Sequence, residues 1–401
     1  MKVTQLHTLI NAVTQEILGE TGVISEDLTN VVDVGKQIID SDNVDNYVKK
    51  LVNHIGKVVF VNRLYTGGAP SVLMDSWEFG SILEKISADM PEATENSSWE
   101  LQDKQNYSPD VFYKPSVSAK FFNGKVTFDI PLSFTERQVK ESFSSREQLN
   151  GFISMLTTAV ENSMTVKLDA LIMRTINNMA AETLFAELHD AGDPNAEPPV
   201  APSWNFGATG VKAVNLLNLY NTATGNTLAA SEALTDADFI RYATYTIGMY
   251  SDRMSKVSTL FNVEGKERFT PKDLQHTVLL SDFAKASETF LLSGTYNAEK
   301  VALPKHESVP YWQGSGTNYA FADVSNINVK TSSGKEVNAQ GVIGVMFDRD
   351  ALGVSNLDRR VTTNYNAKAE FYTNFYKFDA AYYNDLGENF VVFFIGEEDE
   401  G

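Results

Sequence analysis

Lys120-Phe121-Phe122-Asn123-Gly124-Lys125-Val126-Thr127-Phe128-Asp129-Ile130 precedes one very long helical pattern, and this combination decides the fold. Asn-Gly is a strong hairpin pair because both residues tolerate the positive φ that a type I′ turn requires. After it, apolar and polar residues alternate, as in a half-buried strand. We therefore predict a tight hairpin within a long two-stranded loop over 91–132. Because an isolated two-stranded ribbon is marginal in water, this loop should rest on another subunit or domain.

The long helix is predicted from about Ser145 to about Leu184. Ser144 and Glu147 form a capping box at its start, and another, Thr135 with Gln138, predicts a short helix before it. About 40 helical residues span roughly 60 Å. The helix should bury one continuous apolar stripe, made of Leu149, Phe152, Leu156, Val160, Met164, Leu168, Leu171, Ile172, Ile176 and Met179. The polar and proline-rich residues after Asp190 predict its end and an internal boundary.

Composition excludes several classes of protein. The chain has 401 residues and a formal net charge of −19, which repels nucleic-acid phosphates over the surface as a whole. It contains no cysteine, so it has no disulfide or thiolate metal site, which suits a reducing cytoplasm. Residues 1–20 lack the apolar stretch of a signal peptide. The longest apolar run, 390–395, is far shorter than the roughly 20 residues that span a bilayer, so we predict no membrane partner.

Flanking segments complete an α+β chain. Residues 1–60 have amphipathic helical spacing and predict an arm that docks elsewhere. From about 204 to 340 the pattern predicts a separate α/β lobe, with a helix over Asp236–Met254, another helix after Thr270–Asp273, and a strand over His276–Leu280. Gly341–Phe347 is a buried-strand pattern, and the aromatic residues that follow predict long half-buried strands.

No catalytic, cofactor-binding or metal-binding residue is predicted. The five histidines, at 7, 54, 189, 276 and 306, are scattered along the sequence. Ser332–Glu336 contains a Gly-Lys pair but lacks the upstream glycine of a phosphate-binding loop, so it predicts a polar turn. The oxygen-rich stretch Asp40–Asp45 lacks the central glycine of an EF-hand. Asp348 and Asp350 could share a strand face and hold a divalent cation, but the pattern favours a charged strand end that pairs with nearby Arg or Lys.

The order of these parts resembles the HK97-fold major capsid proteins of tailed bacteriophages. Phe152–Asn162 is similar to the spine helix of that family, and Val342–Val354 and Asn364–Ile395 are similar to its closing strands. The Pro310-Tyr311-Trp312 region and the chain length are similar to those of the capsid proteins of small podoviruses. The resemblance covers nearly the whole chain and depends on the order of elements.

The resemblance implies a division of the chain into the domains of that fold. These are an N-terminal helical arm (1–65), a first part of the P-domain (66–90), the E-loop hairpin (91–132), the P-domain with its spine helix (133–203), a separate α/β A-domain (204–340), and closing strands with an acidic tail (341–401). The implied function is structural and not enzymatic. Subunits would form pentamers and hexamers of an icosahedral head around a phage double-stranded DNA genome, within the virion and after assembly in the host cytoplasm.

The implied partners are other copies of the chain, a scaffolding protein and a portal, with non-specific proximity to packaged DNA. No scaffolding domain precedes the arm, so a separate scaffolding protein is expected. Lys104, Lys114, Lys120 and Lys125 lie in or near the loop, but the covalent crosslink of one branch of the family does not map onto them. Two alternatives stay open, an encapsulin-like shell around cargo enzymes and a cytosolic metal-dependent enzyme using Asp348 and Asp350.

Overall fold

The computed structural model describes the chain continuously at 69–74, 82–88, 114–135, 146–192, 201–292, 303–314, 318–331 and 333–397. Isolated residues and short pieces are described before 69 and between 90 and 112. The predicted arm, the short helix after Thr135 and the Asp40–Asp45 stretch lie mostly or wholly outside the described residues. Within the arm, Ile10 and Val13 belong to a short helical piece and are buried.

The described residues from 69 onward form six helices and fifteen strands. The helices are α1 (Arg146–Leu188), α2 (Leu216–Thr224), α3 (Ala230–Ala233), α4 (Ala237–Met254), α5 (Ser281–Leu292) and α6 (Phe321–Val324). The strands are β1 (Leu73–Met74), β2 (Leu83–Ala88), β3 (Val117–Phe122), β4 (Lys125–Thr135), β5 (His189–Asp190), β6 (Ser203–Trp204), β7 (Ala213–Asn215), β8 (Gln275–Leu280), β9 (Glu307–Val309), β10 (Ile327–Lys330), β11 (Glu336–Ala339), β12 (Val342–Asp348), β13 (Leu352–Asn366), β14 (Phe371–Asn384) and β15 (Phe390–Phe394). None of these helices is both long enough and apolar enough to cross a membrane.

The chain divides into two compact units. Unit 1 combines 1–79, 125–174 and 354–381, and unit 2 combines 80–124, 175–353 and 382–401. In unit 1 the strands lie in the order β1-β13-β14-β4, with β4 antiparallel to β14. Phe128 stacks on Phe378 with ring centroids 5.0 Å apart, so aromatic pairs hold this long ladder together.

Unit 2 is built on a mixed sheet in the order β7-β15-β12-β8-β9. Every residue of β12 is buried, as its unbroken apolar pattern predicts. Helices α2, α4 and α5 supply buried side chains that pack with those of the sheet, including Phe239, Ile247, Phe283, Ile343 and Phe393. This core holds the loops between the strands in place, and those loops carry the acidic side chains of the candidate site.

The predicted long helix is confirmed, with α1 beginning at Arg146 and ending at Leu188. The predicted stripe is buried wherever its side chains are described, at Val160, Met164, Leu168, Leu171, Ile172, Ile176 and Met179. The prediction of a helix over Asp236–Met254 is also confirmed, with Asp236 as its N-cap. The prediction of a helix directly after Thr270–Asp273 is wrong, because these residues form a turn that leads into β8.

The predicted Asn123–Gly124 hairpin is wrong. β3 pairs with β2 and β4 pairs with β14, so the strands on either side of Asn123–Gly124 belong to different sheets. Neither residue has the positive φ of a type I′ turn, and exposure alternates without a break from Val117 to Thr135. Glycine is needed at 124 for another reason. A Cβ there would lie 2.6 Å from the backbone oxygen of Tyr382, whose amide donates to the Gly124 oxygen.

Candidate functional site

A two-stranded antiparallel ribbon, formed by β2 and β3, is the most unusual surface in unit 2. Its register places Leu83 opposite Phe122, Lys85 opposite Lys120 and Ser87 opposite Ser118 on one face, which we call the inner face. The outer face carries Glu84, Ile86, Ala88, Val117, Ala119 and Phe121. The inner-face residues are half-buried and the outer-face residues are exposed. A two-stranded ribbon therefore does occur, but with strands at 83–88 and 117–122.

The two faces of the ribbon reverse the usual pattern. An antiparallel sheet normally turns its apolar face inward and its polar face to water. Here the outer face exposes 65% of Ile86, 58% of Val117 and 64% of Phe121. The inner face directs two lysines and two serines toward its own unit, and Ser87 and Ser118 share a hydrogen bond of 2.9 Å. Concentrated exposed apolar surface of this kind is typical of an interaction site.

The segments next to the ribbon in the chain carry further exposed apolar residues. Ile82, Met90, Leu101 and Phe112 are all exposed, and Phe112 reaches 85%. Half of the exposed large hydrophobic residues in the described part of the chain therefore fall between 82 and 121. Among the described residues, the exposed large hydrophobic side chains are therefore concentrated in the ribbon and the segment that connects its strands.

A charged cluster holds the inner face of the ribbon, and we call it the root cluster: Lys85, Lys120, Glu264, Arg268, Asp385 and Glu388. Lys85 and Lys120 are directly opposite across the two strands, an arrangement that is destabilising for like charges alone. Asp385 offsets it, because its Oδ2 accepts from Lys85 Nζ at 2.9 Å and its Oδ1 accepts from Lys120 Nζ at 2.5 Å. One carboxylate therefore joins both strands.

Further acids complete the root cluster. Lys85 Nζ also donates to Glu388 Oε1 at 2.8 Å, and Lys120 Nζ donates to Glu264 Oε1 at 2.5 Å. Arg268 Nε donates to the same Glu388 oxygen at 3.3 Å. The acids come from the turn between β14 and β15 and from the loop that follows α4. Ion pairs thus connect the ribbon to two separate segments of unit 2.

The root cluster shifts the pKa values of two of its members. Burial by itself would raise the pKa of Asp385, but hydrogen bonds from Lys120 and Lys85 outweigh it and hold that pKa below its ordinary value. Burial by itself would lower the pKa of Lys120, but hydrogen bonds to Asp385 and Glu264 raise it instead. Both groups are therefore charged near neutral pH. This arrangement suits a structural tie, because each acid already has a cationic partner.

Asp348 and Asp350, the candidate cation ligands, serve the local structure. Asp348 Oδ2 accepts from Thr270 Oγ1 at 2.6 Å, and its Oδ1 accepts from the Asp350 amide at 2.9 Å. Asp350 lies in the turn after β12 and not on the strand, so the expected shared face does not form. No group of three or more potential metal-binding side chains occurs among the residues that the structure describes.

In the Ser332–Glu336 stretch, the described residues Ser333 and Gly334 form a turn between β10 and β11, in agreement with the predicted polar turn. Ser333 Oγ and Lys335 Nζ both donate to the buried carboxylate of Glu182 on α1, the latter at 2.9 Å. Burial by itself would raise the pKa of Glu182, but these hydrogen bonds lower it. The lysine therefore has a structural partner within its own unit.

The histidines that the structure describes do not come together. His189 stacks on Phe185 with centroids 4.1 Å apart, and His276 stacks on Phe347 at 5.7 Å. His306 Nδ1 lies 3.0 Å from the Pro304 oxygen. Burial lowers the pKa of His276. His54 is outside the described residues.

The loop lysines differ in their surroundings. Lys120 belongs to the root cluster, whereas Lys104 is exposed and has a positive φ of 70°. Lys125 begins β4 opposite Ala381. The sequence did not predict the root cluster, because its members are separated by up to 303 positions and share no motif.

Comparisons with known proteins agree with the class that the sequence resembles. The family model of the Phi29-like phage major capsid protein matches residues 10–394, so the chain belongs to that family. The major capsid protein of Bacillus phage GA-1 is 23% identical over 200 residues, which is 48% of this chain and 40% of that relative. The match thus spans less than half of the length of that relative.

Among solved structures, the chain is similar to the capsid structure of Staphylococcus phage Andhra, with 10% identity, a TM-score of 0.45, and coverage of 84% of this chain and 86% of that one. It is also similar to a chain in a structure of the head fibre and inner core protein gp22 of native bacteriophage P68. That match has 9% identity, a TM-score of 0.45, and the same coverage of both chains.

Proposed function

We propose that this chain is the shell-forming subunit of a phage head. Copies of it assemble into pentamers and hexamers of a closed icosahedral shell around double-stranded DNA, with a scaffolding protein and a portal as assembly partners. The observation that carries this proposal is the reversed ribbon, whose outer face is mostly apolar and exposed while the centre of its inner face is charged and polar. Membership of the capsid family makes a second copy of the chain the partner that covers it.

The proposed organisation is that of the HK97-like fold. α1 acts as the spine helix of a P-domain, the ribbon with its connecting segment acts as the E-loop, and the mixed sheet of unit 2 belongs to the A-domain. Residues 1–65 act as the arm. Subunit interfaces of this type bury thousands of Å², and closed symmetry then propagates them into a shell. The subunit functions in the virion after assembly in the host cytoplasm.

The proposed role is structural and not catalytic. Each carboxylate oxygen of Asp348 already accepts a hydrogen bond, which leaves the metal-enzyme alternative without support among the described residues. The encapsulin-like alternative shares the shell and differs in its contents. Particles purified from infected cells should contain double-stranded DNA, and particles that contain a host enzyme instead would favour the cargo shell.

The test compares Phe121→Glu with Phe121→Leu. Phe121 is 64% exposed, so both substitutions leave the isolated subunit folded, but only glutamate places an unpaired charge in the proposed contact. With co-expressed scaffolding protein, the original chain and Phe121→Leu should form closed shells in negative-stain electron microscopy. Phe121→Glu should remain as small folded species in analytical ultracentrifugation.

Two results would count against the proposal. Normal shells from Phe121→Glu would show that the outer face is not a subunit contact. A uniform monomer or dimer of the original chain under every condition, scaffolding protein included, would contradict the shell function itself. Circular dichroism of both variants checks that the subunit has kept its fold.

A further inference from the structure

We infer that Asp385 is a positioning residue that fixes the orientation of the ribbon on its own subunit through a two-point ionic tie. This inference deepens the proposed function, since the orientation decides whether the outer face reaches a neighbouring copy. The ribbon could in principle pack on unit 2 through apolar contacts. Instead, Ile86, Val117 and Phe121 face outward, and the centre of the inner face is held by Lys85 and Lys120. Leu83 and Phe122 are the apolar pair of the inner face and lie at its end.

The geometry of the tie explains its effect on orientation. Lys85 and Lys120 occupy the same level of the ribbon but belong to different strands. A single ion pair would let the ribbon roll about its own long axis. Two ion pairs from opposite strands to one carboxylate oppose that roll, because rotation in either direction lengthens one of them. The contact between Phe122 and Tyr383, with ring centroids 5.1 Å apart, adds a third point at one end of the ribbon.

The anchor itself is held rigidly. The side chain of Asp385 is only 3% exposed, and its amide donates to the Ala351 oxygen at 2.7 Å. Its Oδ1 also accepts from the Gly387 amide at 3.0 Å. The next residue in the turn, Leu386, accepts from the amides of Val263 and Glu264. The position of Asp385 is therefore set by backbone hydrogen bonds from two segments.

Gly387 leaves room for this arrangement. A Cβ at 387 would lie 2.8 Å from Lys120 Nζ and 2.9 Å from Glu264 Oε2. The lysines, in contrast to their anchor, are partly exposed, at 21% for Lys85 and 24% for Lys120. Their ion pairs can break without disturbing a packed core. The tie can therefore hold the ribbon in a free subunit and still yield when a neighbour binds.

The test measures orientation in the unassembled subunit. The chain has no cysteine, so two spin labels can be attached at Ala88→Cys on the ribbon and Tyr245→Cys on α4 without other labelled sites. Pulsed electron–electron dipolar spectroscopy then gives the distance distribution between them. The otherwise unchanged chain should show one narrow peak. Asp385→Asn should lose it in favour of a broad distribution, because it removes the one carboxylate that both lysines share and leaves each with an acid from a different segment.

Two controls isolate the cause. Glu336→Gln makes the same acid-to-amide change at the exposed ion pair with Lys330, away from the ribbon, and should leave the peak narrow. Should Asp385→Asn fail to fold, Lys120→Gln serves instead, because it removes one point of the tie at a half-exposed site. It should broaden the distribution, and Lys120→Arg, which keeps the charge, should restore the narrow peak.

A narrow peak in folded Asp385→Asn, or in Lys120→Gln, would overturn the inference. That result leaves the proposed function untouched, because the labelled subunit is never asked to assemble. Conversely, failure of the original chain to form shells would reject the proposed function while the distance distributions still report on the tie. When shells do form, Asp385→Asn should give fewer closed particles than Glu336→Gln.

Discussion

Asn215 shows how one buried side chain can join three segments of unit 2. Its Oδ1 accepts from the amides of Leu217 and Asn218 and so caps α2. Its Nδ2 donates to the oxygens of Phe206, Gly207 and Gly396 at 2.9, 3.2 and 2.8 Å. The residue is fully buried, so water could not replace any of these hydrogen bonds that a substitution removes.

We therefore expect Asn215→Asp to destabilise unit 2 by more than about 1–3 kcal/mol, the usual cost of an unsatisfied buried polar group. The new oxygen would face three carbonyl oxygens, although the cap of α2 would remain. The matched control is Asp236→Asn at the N-cap of α4, where the side chain only accepts from Phe239 and either residue caps well. Urea unfolding of both variants compares them, and equal midpoints would contradict the expectation.

Acid should weaken the ribbon through Asp385. Its folded-state pKa is lowered, so it contributes stability above its ordinary pKa of 3.8 and loses that contribution as the pH falls through the folded value. The facing groups are Lys85, Lys120 and the acid Glu388, with Arg268 beyond it. The difference in melting temperature between the original chain and Asp385→Asn should thus be constant at mildly acidic pH and shrink below about pH 4. A difference that grows toward low pH would contradict this sign.

At the scale of elements, local periodicity predicted α1, α4, β8 and β12, because each of them buries a stripe or a run that the sequence shows directly. The pairing of β3 was not predictable in this way. Asn123–Gly124 satisfies the local rule for a hairpin, yet a long ladder with β14 extends as far as Gly124 and keeps the chain straight. Non-local pairing prevailed over local turn preference.

Gly341 and Gly334 form a natural pair for testing strand packing. Both have positive φ, 78° and 85°, so alanine at either should cost about 1–2 kcal/mol in backbone strain. A Cβ at 341 would also lie 2.0 Å from the Ile395 oxygen, whereas one at 334 meets nothing within 4 Å. Gly341→Ala should therefore lose about 1–3 kcal/mol more than Gly334→Ala. The urea midpoints measure this difference, and similar midpoints would show that β12 can shift away from Ile395 at little cost.

At the scale of the whole molecule, composition excluded a general nucleic-acid binder, and the order of elements led to the family. The root cluster, in contrast, could not be predicted from the sequence. Its six side chains belong to four separate segments. In their local sequence, Lys85, Lys120 and Glu388 look like ordinary solvent-exposed charges. Only the tertiary structure makes Asp385 a shared partner. The sequence predicted a two-stranded ribbon with the wrong strand pairing, and it did not predict what holds the ribbon.

Net charge leads to the last prediction, which depends on the proposed function. Subunits of charge −19 repel each other before contact, and the outer face of the ribbon is mostly apolar. Raising the salt from about 0.1 M to about 1 M shortens the Debye length from about 10 Å to about 3 Å and screens that repulsion. Shell assembly should therefore become faster with salt, as light scattering would record. Sodium chloride and potassium chloride should act alike, since screening depends on ionic strength. Slower assembly at high salt would mean that pairs of opposite charge between subunits, and not the apolar ribbon, dominate the contact.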